Sequence, residues 1–77
     1  MSKLPILSDS KIIKTFYKLG FRTAHKTKSG HIVLQNGERG CAVPLHKEVA
    51  IGTLSSILRQ AGVSKEEFLN ALYKKKR

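Results

Sequence analysis

The sequence predicts an α+β domain in which one helix, a three-stranded antiparallel meander and two further helices follow in that order, with the helices on one face of the sheet. Three observations carry this reading. Apolar residues recur at helical spacing on both sides of a central region, the central region alternates apolar and polar residues, and glycines stand where the pattern changes. A chain of 77 residues has room for one small core, so residues 1-77 are read as a single domain with a basic tail at 74-77.

The first helix is expected to start at Ser8 or Asp9, whose side chains can accept a free backbone N–H of the first turn. It places Ile12, Ile13, Phe16 and Leu19 on one face and ends at Gly20. Phe21 to Lys26 reads as a first strand, Lys28-Ser29-Gly30 as a turn, and His31 to Gln35 as a second strand. Asn36-Gly37 reads as a hairpin turn that Glu38-Arg39-Gly40 can lengthen. Cys41 to Val43 makes the third strand, closed by Pro44, which has no N–H to give a ladder. A second helix starts near Gly52-Thr53, lines its inner face with Ile51, Leu54, Leu58 and Ala61, and breaks at Gly62. Ser64-Lys65-Glu66-Glu67 is a capping box that opens a last helix containing Phe68, Leu69 and Leu72.

Period two in the second strand separates His31, Val33 and Gln35 from Ile32 and Leu34. With the latter pair against the helices, His31 faces outward. In the first strand, an inward Phe21 sets Arg22, Ala24 and Lys26 on the open face beside His31. It also leaves Thr23 and His25 as an unusually polar inward pair, so His25 reads as a half-buried structural histidine.

The 15 Lys and Arg outnumber the 5 Asp and Glu, for a formal charge of +10. Residues 1 to 30 hold seven of the cations against Asp9 alone, and the middle of the chain is neutral. Such segregation makes polyanions, nucleic acid foremost, the natural partner class. No apolar run approaches the roughly 20 residues that span a bilayer, so no membrane role is expected. Cys41 is alone, which excludes an intramolecular disulfide and a paired-cysteine zinc site and fits a reducing compartment, with cytoplasmic localisation as the expectation. Its Cys-Ala-Val setting suits a small buried hydrophobe. His25, His31 and His46 match no zinc spacing, and Lys28-Ser29-Gly30 is not a nucleotide-binding loop, so neither a metal nor a cofactor is expected.

Chemistry concentrates in Lys26-Thr27-Lys28-Ser29-Gly30-His31. A neutral imidazole, with an ordinary pKa of about 6.5, could take the proton of a ribose 2′-hydroxyl while Arg22, Lys26 or Lys28 meets the phosphate. A surface histidine that only touches phosphate is the other reading of the same residues. His46 likewise either helps hold phosphate or orders the loop between strand and helix.

A resemblance adds to this. A Leu-Pro opening, Ile12 to Phe21 ending in Leu19-Gly20-Phe21, the Lys28-Ser29-Gly30-His31 turn, Val43-Pro44-Leu45-His46, and above all the run from Gly52-Thr53-Leu54-Ser55-Ser56-Ile57 to Leu58-Arg59-Gln60-Ala61-Gly62 together resemble the HicA/YcfA-like family of prokaryotic toxins. That resemblance implies a double-stranded-RNA-binding-domain-like fold, α-β-β-β-α with an additional short C-terminal helix. It also implies endoribonuclease activity on mRNA and a HicB-like antitoxin as partner, and a lone histidine without carboxylate partners makes metal-independent cleavage the expected mechanism. The family's catalytic histidine falls on His31, and Arg22, Lys26, Lys28, Ser29, Gly30 and His46 are the expected RNA contacts. Where the family writes Gly-Ser-His, this chain has Ser29-Gly30-His31, which keeps the histidine and exchanges its neighbours. A non-catalytic RNA-binding module of the same fold is the alternative function.

Overall fold

A computed structural model of the chain describes residues 3–74, so the basic tail beyond Lys74 lies outside the described residues. The elements are α1 (Asp9–Lys18), β1 (Arg22–Lys26), β2 (His31–Asn36), β3 (Arg39–Pro44), α2 (Ile51–Ala61) and α3 (Lys65–Tyr73). The three strands form one antiparallel sheet in the order β1-β2-β3, so the expected α-β-β-β-α arrangement with an added C-terminal helix is present. No helix among the described residues is long and apolar enough to cross a membrane.

Capping explains the helix boundaries. Ser8 is the N-cap of α1, its hydroxyl accepting the Lys11 N–H at 3.2 Å. Ser64 and Glu67 complete the capping box of α3, with each side chain accepting the other's backbone N–H. α1 and α2 end alike. Gly20 (φ +93°) and Gly62 (φ +70°) take left-handed backbone, and the next residue's N–H reaches back, from Phe21 to the Phe16 carbonyl and from Val63 to that of Leu58. This geometry turns Phe21 and Val63 into the core as the chain leaves each helix.

The core is the helix-facing side of the sheet, with Leu34, Cys41 and Val43, closed by Ile12 and Phe16 of α1, Leu54, Ile57, Leu58 and Ala61 of α2, and Phe68, Leu69 and Leu72 of α3. Phe16 packs edge-on to Phe21 at 5.0 Å between centroids and tilted against Phe68 at 5.7 Å, so one ring joins α1, the entry to β1 and α3. Ile51 does not line the inner face of α2: it is 46% exposed at the first helical position, and the buried residues of the helix are Leu54, Ile57, Leu58 and Ala61.

Burial in this wall raises the Cys41 thiol from its ordinary value to about 11. The reactive thiolate is therefore scarce near neutrality. Native protein at about pH 8 is expected to resist a thiol-alkylating reagent and to react fully once unfolded in denaturant; rapid alkylation of the native fold would show that Cys41 is accessible.

Two strand details differ from expectation. The β2–β3 turn is Gly37-Glu38, closed by the Asn36–Arg39 pair, and not Asn36-Gly37. Gly37 has φ +65° while Glu38 has negative φ, the sign pattern in which glycine takes the first central position. β3 consequently begins at Arg39, two residues before Cys41.

The larger difference is in β1. Arg22 pairs with Gln35 and Thr23 with Leu34, but His25 pairs with Val33 and Lys26 with Ile32, so Ala24 is an extra residue, a β-bulge. Directly opposed residues share a face of the sheet. The bulge therefore reverses the phase of the strand's second half, moving His25 to the open face with Val33 and Lys26 to the helix-side face with Ile32. The expected Arg22-Ala24-Lys26 row beside His31 does not form, and His25 is exposed, not half-buried.

Candidate functional site at the first hairpin

The shoulder of the β1–β2 hairpin is built by backbone first. The Thr27 N–H donates to the His31 carbonyl at 2.8 Å, and the Gly30 N–H donates to the Thr27 carbonyl at 3.2 Å, closing a turn over Lys28 and Ser29. Gly30 then sits at φ +86°, where an added Cβ would meet nothing within 4 Å. The requirement is for left-handed backbone, not for space, as in three-residue hairpin loops that end on a glycine. This accounts for Ser29-Gly30: glycine at the last loop position delivers His31 to the strand.

His31 begins β2 opposite Pro44, on the open face, and is half-buried. Three short-range bonds hold it. Its backbone N–H donates to Thr27 Oγ1 at 3.1 Å, Thr27 Oγ1 lies 3.0 Å from Ser29 Oγ, and Ser29 Oγ lies 3.2 Å from the ring's Nδ1. Nε2 makes no hydrogen bond to a described residue and is the nitrogen left for a ligand.

The residues expected around His31 fall into distinct places. Lys28, Ser29 and Gly30 form the loop that leads into it, with the Lys28 side chain exposed. Arg22 shares its face but pairs with Gln35, four residues farther along β2, about 13 Å away at the ordinary strand rise. Lys26 lies at the hairpin's edge on the other face. His46 comes to the same corner as Gly30: the Leu45 N–H donates to the Gly30 carbonyl at 3.0 Å, and the His46 N–H turns back to the Pro44 carbonyl at 3.1 Å. The His46 carbonyl accepts the Asp9 N–H at 3.1 Å, which ties the start of α1 to this corner while the imidazole stays exposed. His46 thus orders the loop between β3 and α2 and leaves its ring free.

Sequence reasoning missed two members of the face. His25, two pairs from the start of β2, joins the His31 side through the bulge; the polar inward phase of Thr23 and His25 was its visible signal. Thr27 gives both its backbone and its hydroxyl to His31; the Thr27, Ser29, His31 alternation was its signal. Among the described residues no three of His, Cys, Asp and Glu gather as metal ligands would.

Among known families, the model of the HicA toxin of bacterial toxin-antitoxin matches residues 10–63. The matched span runs from the first turn of α1 to just past α2 and contains the whole β1–β2 hairpin, while α3 lies beyond it. No curated protein and no solved structure matches the chain.

Proposed function

The chain belongs to the HicA toxin family of bacterial toxin-antitoxin systems, and on that premise we propose that it is an endoribonuclease that cuts mRNA with His31 as its general base. The observation that carries this is the placement of His31, held at Nδ1 by Ser29 and open at Nε2, on the sheet face opposite the one packed against α1, α2 and α3. In this reading Nε2 takes the proton of a ribose 2′-hydroxyl. The 2′-oxygen attacks the adjacent phosphorus, the bond to the 5′-oxygen breaks, and water or a neighbouring acid protonates the leaving oxygen. The upstream fragment ends in a 2′,3′-cyclic phosphate and the downstream one in a 5′-hydroxyl. Lys28 and the Gly30 corner, with His46 beside it, meet the phosphate, and Arg22 and His25 extend the track along the sheet. Lys26 contributes to the field from the other face. A HicB-like antitoxin with an acidic surface is the expected partner, silencing the toxin by covering this face.

Incubation with single-stranded RNA, with and without EDTA, tests the proposal. Cleavage that survives EDTA, yields cyclic-phosphate ends and spares substrates lacking the 2′-hydroxyl is expected. RNA that is bound with a steep salt dependence but stays intact for hours would instead make the protein a non-catalytic RNA-binding module, which its charge of +10 equally suits.

A further inference from the structure

Resting on the assignment of His31 as the base, we infer that Thr27 and Ser29 form a hydroxyl relay that selects the imidazole tautomer, with Ser29 as a positioning residue. A neutral imidazole carries one ring proton, and a base acting through Nε2 must carry it on Nδ1. Ser29 Oγ, 3.2 Å from Nδ1, is the group able to accept that proton's hydrogen bond. A serine hydroxyl that accepts must send its own proton elsewhere, and Thr27 Oγ1 lies 3.0 Å away. Thr27 Oγ1 already accepts the His31 backbone N–H at 3.1 Å and keeps a second lone pair for Ser29. Every proton then has a place: Nδ1–H on Ser29, the Ser29 O–H on Thr27, and the Thr27 O–H toward solvent.

The loop geometry makes the relay local. Thr27 stands opposite His31 through the 2.8 Å bond from its N–H to the His31 carbonyl, and its hydroxyl is held in place by accepting the His31 N–H. Gly30 supplies the left-handed step that lets Ser29 fold back over the ring. This is the part a carboxylate plays behind many catalytic histidines, performed here by two neutral hydroxyls. When Nε2 takes a proton, Nδ1–H keeps its partner, and nothing in the loop has to rearrange.

The test combines ring nitrogen NMR with kinetics on wild type, Ser29→Ala and Ser29→Thr. At about pH 8.5, where histidine is ordinarily neutral, wild type and Ser29→Thr are expected to carry the His31 proton on Nδ1, and Ser29→Ala a mixture with Nε2–H. The kcat of Ser29→Ala should fall by about two- to tenfold at unchanged KM, in proportion to the share of molecules that hold the Nε2–H tautomer. Ser29→Thr should restore it. A wild-type ring protonated on Nε2, an unchanged tautomer ratio or kcat in Ser29→Ala, or a Ser29→Thr enzyme as slow as Ser29→Ala overturns the relay. Undiminished cleavage by His31→Ala would remove the base assignment instead, and the tautomer ratio would still decide whether the hydroxyls orient the ring.

Discussion

Replacing His31 with alanine is expected to lower the rate of RNA cleavage by about 10²–10⁴-fold, the range a positioned general base contributes. The fold should not notice. His31 sits at the open end of β2, and the bonds that shape the turn, from Thr27 N–H to the His31 carbonyl and from Gly30 N–H to the Thr27 carbonyl, are backbone bonds that alanine keeps. Truncating this half-buried ring, whose one side-chain bond is to the exposed Ser29, should cost about 1 kcal/mol or less. RNA affinity should hold as well, since Lys28 and the rest of the basic surface remain. The decisive measurement is cleavage rate and thermal midpoint on the same preparation: wild-type turnover in His31→Ala would withdraw the assignment of chemistry to this ring, and a collapsed melt would overturn the expectation that the fold is unchanged.

The largest expected effect on stability comes from Phe16→Ala. Phe16 is fully buried and packs edge-on to Phe21 and tilted against Phe68. Truncating such a ring costs about 3–5 kcal/mol in lost transfer energy and unfilled cavity. A domain this small holds only about 5 kcal/mol in total, so the variant should keep about 0–2 kcal/mol and be between a few per cent and about half unfolded at 25 °C. Where a midpoint can still be measured, each kcal/mol corresponds to about 4–8 °C. A midpoint within about 5 °C of wild type would mean that α3 and α1 can close over the gap, and that the three rings are not the joint between them.

Elements whose cause is local were readable from the residues. Ser8, the Ser64 to Glu67 box and the two glycines at 20 and 62 mark helix ends through hydrogen bonds and backbone signs that act within a few residues. The phase of β2 was legible for the same reason, since Ile32 and Leu34 alternate cleanly against His31 and Val33. β1 was not. A bulge is a property of a pair of strands, set by how Thr23 and His25 find Leu34 and Val33 across the ladder. No periodicity within Arg22 to Lys26 encodes it, apart from the polar residues that an unbulged register would have pointed inward. The candidate site divides along the same line: His31 and its loop, being local, stand where expected, whereas Lys26 and His25 exchanged faces through a contact with a neighbouring strand.

That extra residue at Ala24 also governs how these molecules tolerate one another. β1 is an outer strand with every residue exposed, a row of free amides and carbonyls of the kind on which a second copy could build a continuous sheet. The bulge breaks the spacing of that row, and Arg22 and Lys26 charge its two ends, so an incoming strand meets mismatched donors and like charge. At the opposite border, the Ala42 N–H of β3 is turned to Gln60 Oε1 of α2, at 3.5 Å. One edge is spoiled and the other attended by a helix, which disfavours fibre-like stacking of copies at high concentration.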